Sequence, residues 1–488
     1  MSILSHLNPP ALWTFFEDIC KLPRISKHEE KIRQYLLEFA VKNNLEAKED
    51  ISGNILIIKE ASPGMENRRT LILQSHLDMV GEKNTSNPHN WLTDSITPVI
   101  NGDWVAAKGT TLGADDGIGI AAQMAVLTDP GLKGGRIECL FTVDEETGMT
   151  GAVNLSPDFI SGSILLNLDS EDEGILFIGC AGGMDSVASL KFEKISIPSG
   201  SCAVEISVTG LHGGHSGDEI HKGYGNSIKI MTGLLREISS RYTMALSEFN
   251  GGNLRNAIPR EAFATIVVKI NDIGKIKLLT SEYFARCRAE FEDLEPLMDI
   301  SSREIPLPLF SMDRECQDKF LDALNCCPHG VIAWSKDMDD LVETSTNLAS
   351  VRFDKENNVT IVTTQRSSVE SAKHEVAGVV GECFLKAGCI FVTSDGYPGW
   401  KPDMTSEILS ITRSSYKRLF GKEPVVRSIH AGLECGMFYE KIKNIDMISF
   451  GPTIRGAHTP EEKIEISTVG MFWDLLTDVI ENIPSRHE

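Results

Sequence analysis

Apolar positions along this chain follow two different periods, and the change from one to the other marks its organisation. The runs LIL at 71–73, IECLFTV at 137–143, ILLNL at 164–168 and the one that opens DMISFGPTIRGA at 446 show little polar alternation. They read as strands covered on both faces. Between them, Ile32, Tyr35, Leu36 and Phe39 recur at helical spacing and give one core-facing stripe. Asn8 followed by Pro9 and Pro10 suits a helix start, and Ser26-Lys27-His28-Glu29 predicts a capping box before a second helix. A further strand is expected at 54–58, a long polar loop from Gly81 to about Gly102, and a turn at Asp115 into a helix containing Ile118, Ile120 and Met124. Strands and helices in alternation predict an α/β layer with a mostly parallel sheet flanked by helices.

The pattern changes after Gly183. Val204, Ile206 and Val208 alternate with polar residues, as in a strand with one exposed face. A helix over 226–242, a strand over 264–270 and a helix from Lys275 follow, and a comparable strand and helix recur over 358–364 and 368–386. Two related halves are one reading of this, although no repeat is visible in the residues themselves. After the turn-rich 393–399 the first style returns, with a helix near 406–419 and the strand before Gly451. The simplest organisation is a discontinuous α/β domain, residues 1–186 and 397–488, interrupted by an inserted α+β domain, residues 187–396. A chain of 488 residues exceeds what one core usually holds, which agrees with two domains.

Composition narrows the function. With 41% hydrophobic and 24% charged residues the chain reads as an ordinary globular protein, and its net charge of -22 disfavours nucleic acid and anionic membrane as partners, leaving small substrates. The first residues lack a basic segment followed by an apolar core, and no run is long enough to span a bilayer, so a cytoplasmic location is expected. The 11 cysteines are odd in number and include no CxxC pair, which predicts reduced thiols rather than a disulfide framework.

Each of the four apolar runs leads into ligand-type residues: His76 and Asp78; Asp144, Glu145 and Glu146; Asp169; and His458. Loops at the carboxyl ends of parallel strands converge side chains in this way. Two divalent cations about 3.5 to 4 Å apart can share one carboxylate and one water, and lower that water's pKa toward neutrality. His76, Asp115, Glu146, Asp169 and His458 supply suitable donors, with Asp115 as the natural bridge because Gly113, Ala114 and Gly117 allow close approach. Asp78 could face the other nitrogen of His76 and fix its tautomer. Glu145 would remain as a general base. Singly, each has a bland reading: a common His-x-Asp, a helix start at Asp115-Asp116, a solvated turn at Glu145-Glu146, an exposed acidic run from Asp169 to Glu173, a turn residue before Pro460. Four such run ends together are hard to obtain by accident.

HLDMV, GADDGIG, DEETG, LNLDSEDEG and GAHTPEE, in this order, resemble the dinuclear zinc exopeptidases that include carboxypeptidase G and acetylornithine deacetylase, and most of all their aminoacyl-histidine dipeptidase branch. The similarity runs over nearly the whole chain. It implies a dipeptidase acting on Xaa-His and β-alanyl-histidine, two divalent metal ions per chain (zinc, with cobalt or manganese as alternatives), and a homodimer formed through the inserted lid domain. It also implies that His76, Asp115 and Asp169 hold one ion and Asp115, Glu146 and His458 the other, with Asp78 orienting His76, Glu145 as base, and often a cis bond at Asp115-Asp116. In the inserted domain the resemblance selects His215 to stabilise the oxyanion, within its own chain or across a dimer. There it also selects Asn256 to bind substrate and Arg366 to hold the terminal carboxylate, a task suited to a planar guanidinium. His430 and Glu434, from HAGLECG, would lie near the substrate amine. A tripeptidase or an N-acyl amino acid deacylase on the same metal core, or an inactive binding protein, remain open.

Overall fold

The computed structural model describes residues 2–485. Chain contacts divide it into two compact units, one combining the chain up to Gly179 with Trp400–Ser428 and the chain from Leu433, the other combining Cys180–Gly399 with Ile429–Gly432.

The first unit is built on an eight-stranded sheet whose order is Glu46–Glu49, Ile55–Lys59, Ile137–Thr142, Leu71–His76, Ile164–Asn167, Asp446–Ser449, Ile175–Cys180, Val425–Ile429. The four apolar runs form its centre. Leu71–His76 pairs in parallel with Ile137–Thr142 on one side and with Ile164–Asn167 on the other, and Asp446–Ser449 pairs in parallel with Ile164–Asn167. Antiparallel pairs lie on both sides of this parallel centre, so the sheet is mixed. Every residue of Leu71–His76 and of Ile137–Thr142 is buried, including Gln74, Ser75 and His76, because helices pack against the sheet. The helix Ala114–Thr128 packs directly on Leu71–His76 and is covered by Pro10–Ile19, which explains why it is apolar nearly all round.

Three local expectations are corrected. The second helix, Glu30–Lys42, is not opened by a capping box: Glu29 occupies the cap position, and the Ser26 hydroxyl donates to Asp78 Oδ2 at 2.8 Å instead. The loop expected over 81–102 ends in a hairpin, Pro98–Asn101 with Trp104–Ala107, and this hairpin joins Lys463–Glu465 and Ile454–Arg455 in a small four-stranded sheet. His458 therefore sits in the turn between the last two of these strands, at φ 62°, and not at the end of Asp446–Ser449. Its run was one apolar stretch in sequence but divides at Gly451 and Pro452 into two strands of different sheets.

The second unit has one antiparallel sheet with the order Asp299–Ile305, Ser201–Thr209, Ala262–Lys269, Met244–Gly251, Val342–Phe353, Asn358–Ser367, Gly182–Lys191, Ile390–Thr393, with Gly330–Trp334 added against Val342–Phe353. The order resolves the question of halves. Ser201–Thr209, helix Ser227–Arg241, Met244–Gly251, Ala262–Lys269, helix Ile273–Glu290 and Asp299–Ile305 form a β-α-β-β-α-β unit with spatial order four-one-three-two. Gly182–Lys191, helix Arg314–Cys326, Val342–Phe353, Asn358–Ser367, helix Glu370–Lys386 and Ile390–Thr393 repeat the same order, and the second strands of the two halves meet at Gly251 and Val351. The whole first half is inserted after the first strand of the second. Val204, Ile206 and Val208 are fully buried in a core shared with Ile228, Leu234 and Phe320 of the helices. Against the expectation of reduced thiols, Cys326 is bonded to Cys383, with Cα atoms 5.8 Å apart, because helices Arg314–Cys326 and Glu370–Lys386 pack together.

Leu234, fully buried in this core, tests the packing. Leu234→Ala is expected to cost about 2–5 kcal/mol by leaving a cavity. Urea unfolding of the variant checks it, and a loss below about 1 kcal/mol would mean that the helix does not rest on this core.

Candidate functional site

In the first unit, neighbouring strands deliver their side chains at one edge. His76 is the last residue of Leu71–His76, Asp169 follows Ile164–Asn167 by two residues, and Glu145 and Glu146 open a short helical turn just after Ile137–Thr142. Asp115 comes from the first turn of Ala114–Thr128, where it and Asp116 leave helical geometry (ψ 110° and 38°) and the bond between them is cis.

The two oxygens of Asp115 point to different partners. Oδ1 lies 3.0 Å from His76 Nε2, and Oδ2 lies 3.2 Å from His458 Nε2. His76 Nε2 is also 3.3 Å from Asp169 Oδ1, and His458 Nε2 is 3.0 Å from Glu146 Oε2. Ligand-type atoms of His76, Asp115 and Asp169 fall within 4.8 Å of one another, as do those of Asp115, Glu146 and His458, and a third grouping joins His76 with Glu145 and Glu146. Behind His76, Asp78 Oδ1 stands 3.4 Å from Nδ1. Asp78 is itself fixed by the backbone amides of Glu145 at 3.0 Å and Glu146 at 3.2 Å and by Ser26.

Burial and charge oppose each other here. Burial pushes the Asp169 carboxyl up to about 7, and it raises Glu145 as well, with Asp169, Glu434 and Glu146 adding to the effect. Burial also works against a charged His76, but Asp169 and Asp115 outweigh it and hold the imidazole well above its ordinary range. Hydrogen bonds to Asp115 and Glu146 hold His458 up to about 11. Crowded carboxylates thus favour positive charge at this strand edge. Divalent cations fit this donor set: imidazole and carboxylate are their ordinary ligands, and Oε1 of Glu146 is buried with no hydrogen-bond partner.

Glu434, fully buried, belongs to the same unit and accepts from Gln74 Nε2 at 2.6 Å and Thr142 Oγ1 at 2.8 Å. Burial pushes it up to about 7. Ser26, Gln74 and Thr142 have no signal in the sequence, since an isolated polar residue inside an apolar run or a loop says nothing of its partner.

The second unit gathers four other candidates. His215 and Ala257 form an isolated bridge, and Ser216 donates its amide to the Asn256 carbonyl at 2.8 Å, so the loops of His215 and Asn256 run side by side. Arg366 is paired across the sheet with Ser345, whose hydroxyl is 2.8 Å from His430 Nε2. Arg366 is 6% exposed, donates to the Tyr397 hydroxyl at 3.0 Å, and makes no ion pair with a carboxylate among the described residues, which argues against a strand-end salt bridge. Its Nε is buried without a partner. Burial first, and the Arg366 charge second, push His215 down and lower His430 to about 3. A buried guanidinium beside two neutral imidazoles is a place for an anion.

A parallel sheet centre with two overlapping ligand triads that share one aspartate has the form of a metallohydrolase site. The chain belongs to peptidase family M20/M25/M40, which matches residues 72–482, and it is a hydrolase acting on peptide bonds. It is 41% identical over 486 residues, covering all of both chains, to the cytosol non-specific dipeptidase of Escherichia coli (strain K12). Its structure is similar to that of aminoacylhistidine dipeptidase from Vibrio alginolyticus, with a TM-score of 0.94 and 42% identity over 100% of this chain and 99% of the other. A tripeptidase from Staphylococcus aureus shares the fold, with a TM-score of 0.57 and 15% identity over 98% and 99% of the two chains.

The lowered pKa of His430 makes stability depend on pH. Unfolded, the imidazole binds a proton below its ordinary 6.5; folded, it stays neutral down to about 3. Its contribution is present above 6.5 and lost as pH falls through that window, by at most about 1.4 kcal/mol per pH unit. Urea unfolding at pH 5 and pH 7.5 is expected to show a smaller acid loss for His430→Asn than for the unaltered protein; equal losses would count against a buried neutral imidazole.

Proposed function

We propose that this protein is a cytosolic, dinuclear metal-dependent dipeptidase that hydrolyses unblocked dipeptides, including Xaa-His and β-alanyl-histidine. The observation that carries the reading is Asp115, whose two oxygens face two different histidines, each with its own further carboxylate. The substrate class follows the names of the two similar proteins, and no helix among the described residues is long and apolar enough to cross a membrane.

His76, Asp115 and Asp169 would hold one divalent ion, zinc by family resemblance, and Asp115, Glu146 and His458 the other. When bound, the ions would supply Lewis acidity and lower the pKa of a water. The chain's own residues do the rest. Asp78 holds the His76 tautomer. Glu145, raised by burial, takes a proton from the attacking water as the carbonyl carbon gains its oxygen, then returns it to the amine nitrogen as the C–N bond breaks. His215 donates to the developing oxyanion. Arg366 binds the terminal carboxylate with both guanidinium edges, which limits peptide length, and Asn256 holds the substrate beside it. His430 and Glu434 stand near the substrate amine. The second unit serves as a lid and as the interface of a homodimer, a role supported by its outer strand Ile390–Thr393, where Ile390 is 71% and Val392 61% exposed.

Chelator-stripped protein is expected to lose hydrolysis of β-alanyl-histidine and leucyl-histidine and to regain it with zinc. No cleavage of either with metal bound would move the reading to a tripeptidase or a deacylase. In the same assay Arg366→Ala should raise KM about ten- to a hundredfold, and an unchanged KM would remove the carboxylate anchor.

Glu145→Gln should lower kcat about 10²- to 10⁴-fold while zinc content, read by elemental analysis, stays at two per chain. Loss of an ion in that variant would make Glu145 a ligand, as its grouping with His76 and Glu146 allows.

A further inference from the structure

The strand end carrying His76 and the kinked helix start carrying Asp115 come from separate parts of the chain, and two buried charged side chains tie the helix start to its surroundings. Arg24, 2% exposed, lies between helices Pro10–Ile19 and Glu30–Lys42. Its Nη1 donates to the carbonyls of Leu77 at 2.9 Å and Asp78 at 2.6 Å, and its Nη2 donates to the carbonyl of Gly113. Glu462, also 2% exposed, lies in the same turn region as His458. Its carboxylate accepts the backbone amides of Leu112 at 2.7 Å, Gly113 at 2.9 Å, Ala114 at 2.7 Å and Asp115 at 3.3 Å. The segment 112–115 is therefore gripped through its amides by Glu462 and through a carbonyl by Arg24. Gly113, at φ 71°, makes room for this: a Cβ there would stand 2.7 Å from Arg24 Nη2.

Burying a charge is expensive unless hydrogen bonds compensate it. Both of these charges make their hydrogen bonds to the backbone of segments that carry His76, Asp78 or Asp115. Arg24 lies before the residues matched by the family, and Glu462, although it closes the GAHTPEE motif, was given no role from the sequence.

Resting on the dinuclear reading above, we infer that Arg24 and Glu462 are positioning residues that hold Asp115 in register with His76 on one side and with His458 on the other, and so set the spacing of the two cation positions. Arg24 links the Asp115 segment to the strand end of His76. Glu462 links it to the loop of His458.

The test is calorimetric titration of chelator-stripped protein with zinc, alongside steady-state kinetics on leucyl-histidine. In Glu462→Gln the side chain keeps one accepting oxygen, but its NH₂ faces amides it cannot bond. One of the two zinc ions is expected to bind about 10- to 100-fold more weakly, with kcat lower by a similar factor and KM within about threefold. Arg24→Lys, which keeps the charge but loses the fork of donors, is expected to behave in the same way. If Glu462→Gln fails to fold, Glu462→Asp carries the test, with a smaller weakening expected because the charge is kept and the reach shortened. Wild-type zinc affinity and kcat in folded variants would overturn the positioning role while leaving the dinuclear reading intact. If the unaltered protein takes up no zinc, both fall together.

Discussion

Concentrated negative charge in a region with little water is the constraint on which the first unit depends, and much of its local architecture is a response to it. Asp78, Asp116, Glu434 and Glu462 are all nearly or fully buried, and each is answered by backbone amides, hydroxyls, amide side chains or an imidazole. Asp115, Asp169, Glu145 and Glu146 lie among them with fewer such partners, and the imidazoles of His76 and His458 are the positive groups nearest to hand. Attraction at this range is strong in a protein interior, but so is the penalty for leaving an anion without a counter-charge. A fold that places so many carboxylates at one strand edge favours positive charge among them.

In the second unit the candidate residues gather round one buried positive charge. Arg366 is buried with a single tyrosine hydroxyl as its hydrogen-bond partner among the described side chains, and burial, with the Arg366 charge added, pushes His215 and His430 down.

The core and the ligand candidates were legible because both rest on local patterns. Leu71–His76 and Ile137–Thr142 are buried throughout, as largely apolar runs suggest, and His76 ends the first while Glu146 stands shortly after the second. What escaped was whatever depends on partners distant in the chain. Ser26 looked like a helix cap because its neighbours fit a local rule, yet its hydroxyl found Asp78. Arg24 carried no pattern, and Glu462 closed the GAHTPEE motif without a role of its own, since their hydrogen bonds go to backbone atoms that any residue could supply. His458 ends what looks like one apolar run, but that run breaks between two sheets, which apolar spacing cannot register. The duplicated halves were hinted at by recurring strand and helix, but only strand order reveals a shared topology, because that topology needs no shared residues.

The nesting of one half inside the other has a consequence for synthesis. Strands of the inserted half, from Ser201–Thr209 to Asp299–Ile305, pair among themselves, so this half can close soon after it leaves the ribosome. Gly182–Lys191 has no such option; its partners are Asn358–Ser367 and Ile390–Thr393, and it must wait, with both edges unpaired, until they emerge. Closing so long a loop costs little extra free energy but slows the search. The finished inner half then serves as a ready-made platform beside which the outer half assembles, joined where Gly251 meets Val351. By the same logic Ile164–Asn167, paired early with Leu71–His76, waits still longer for Asp446–Ser449 on its other edge, and His458 reaches Asp115 later again. A prematurely ended chain would thus lack the contact of His458 with Asp115.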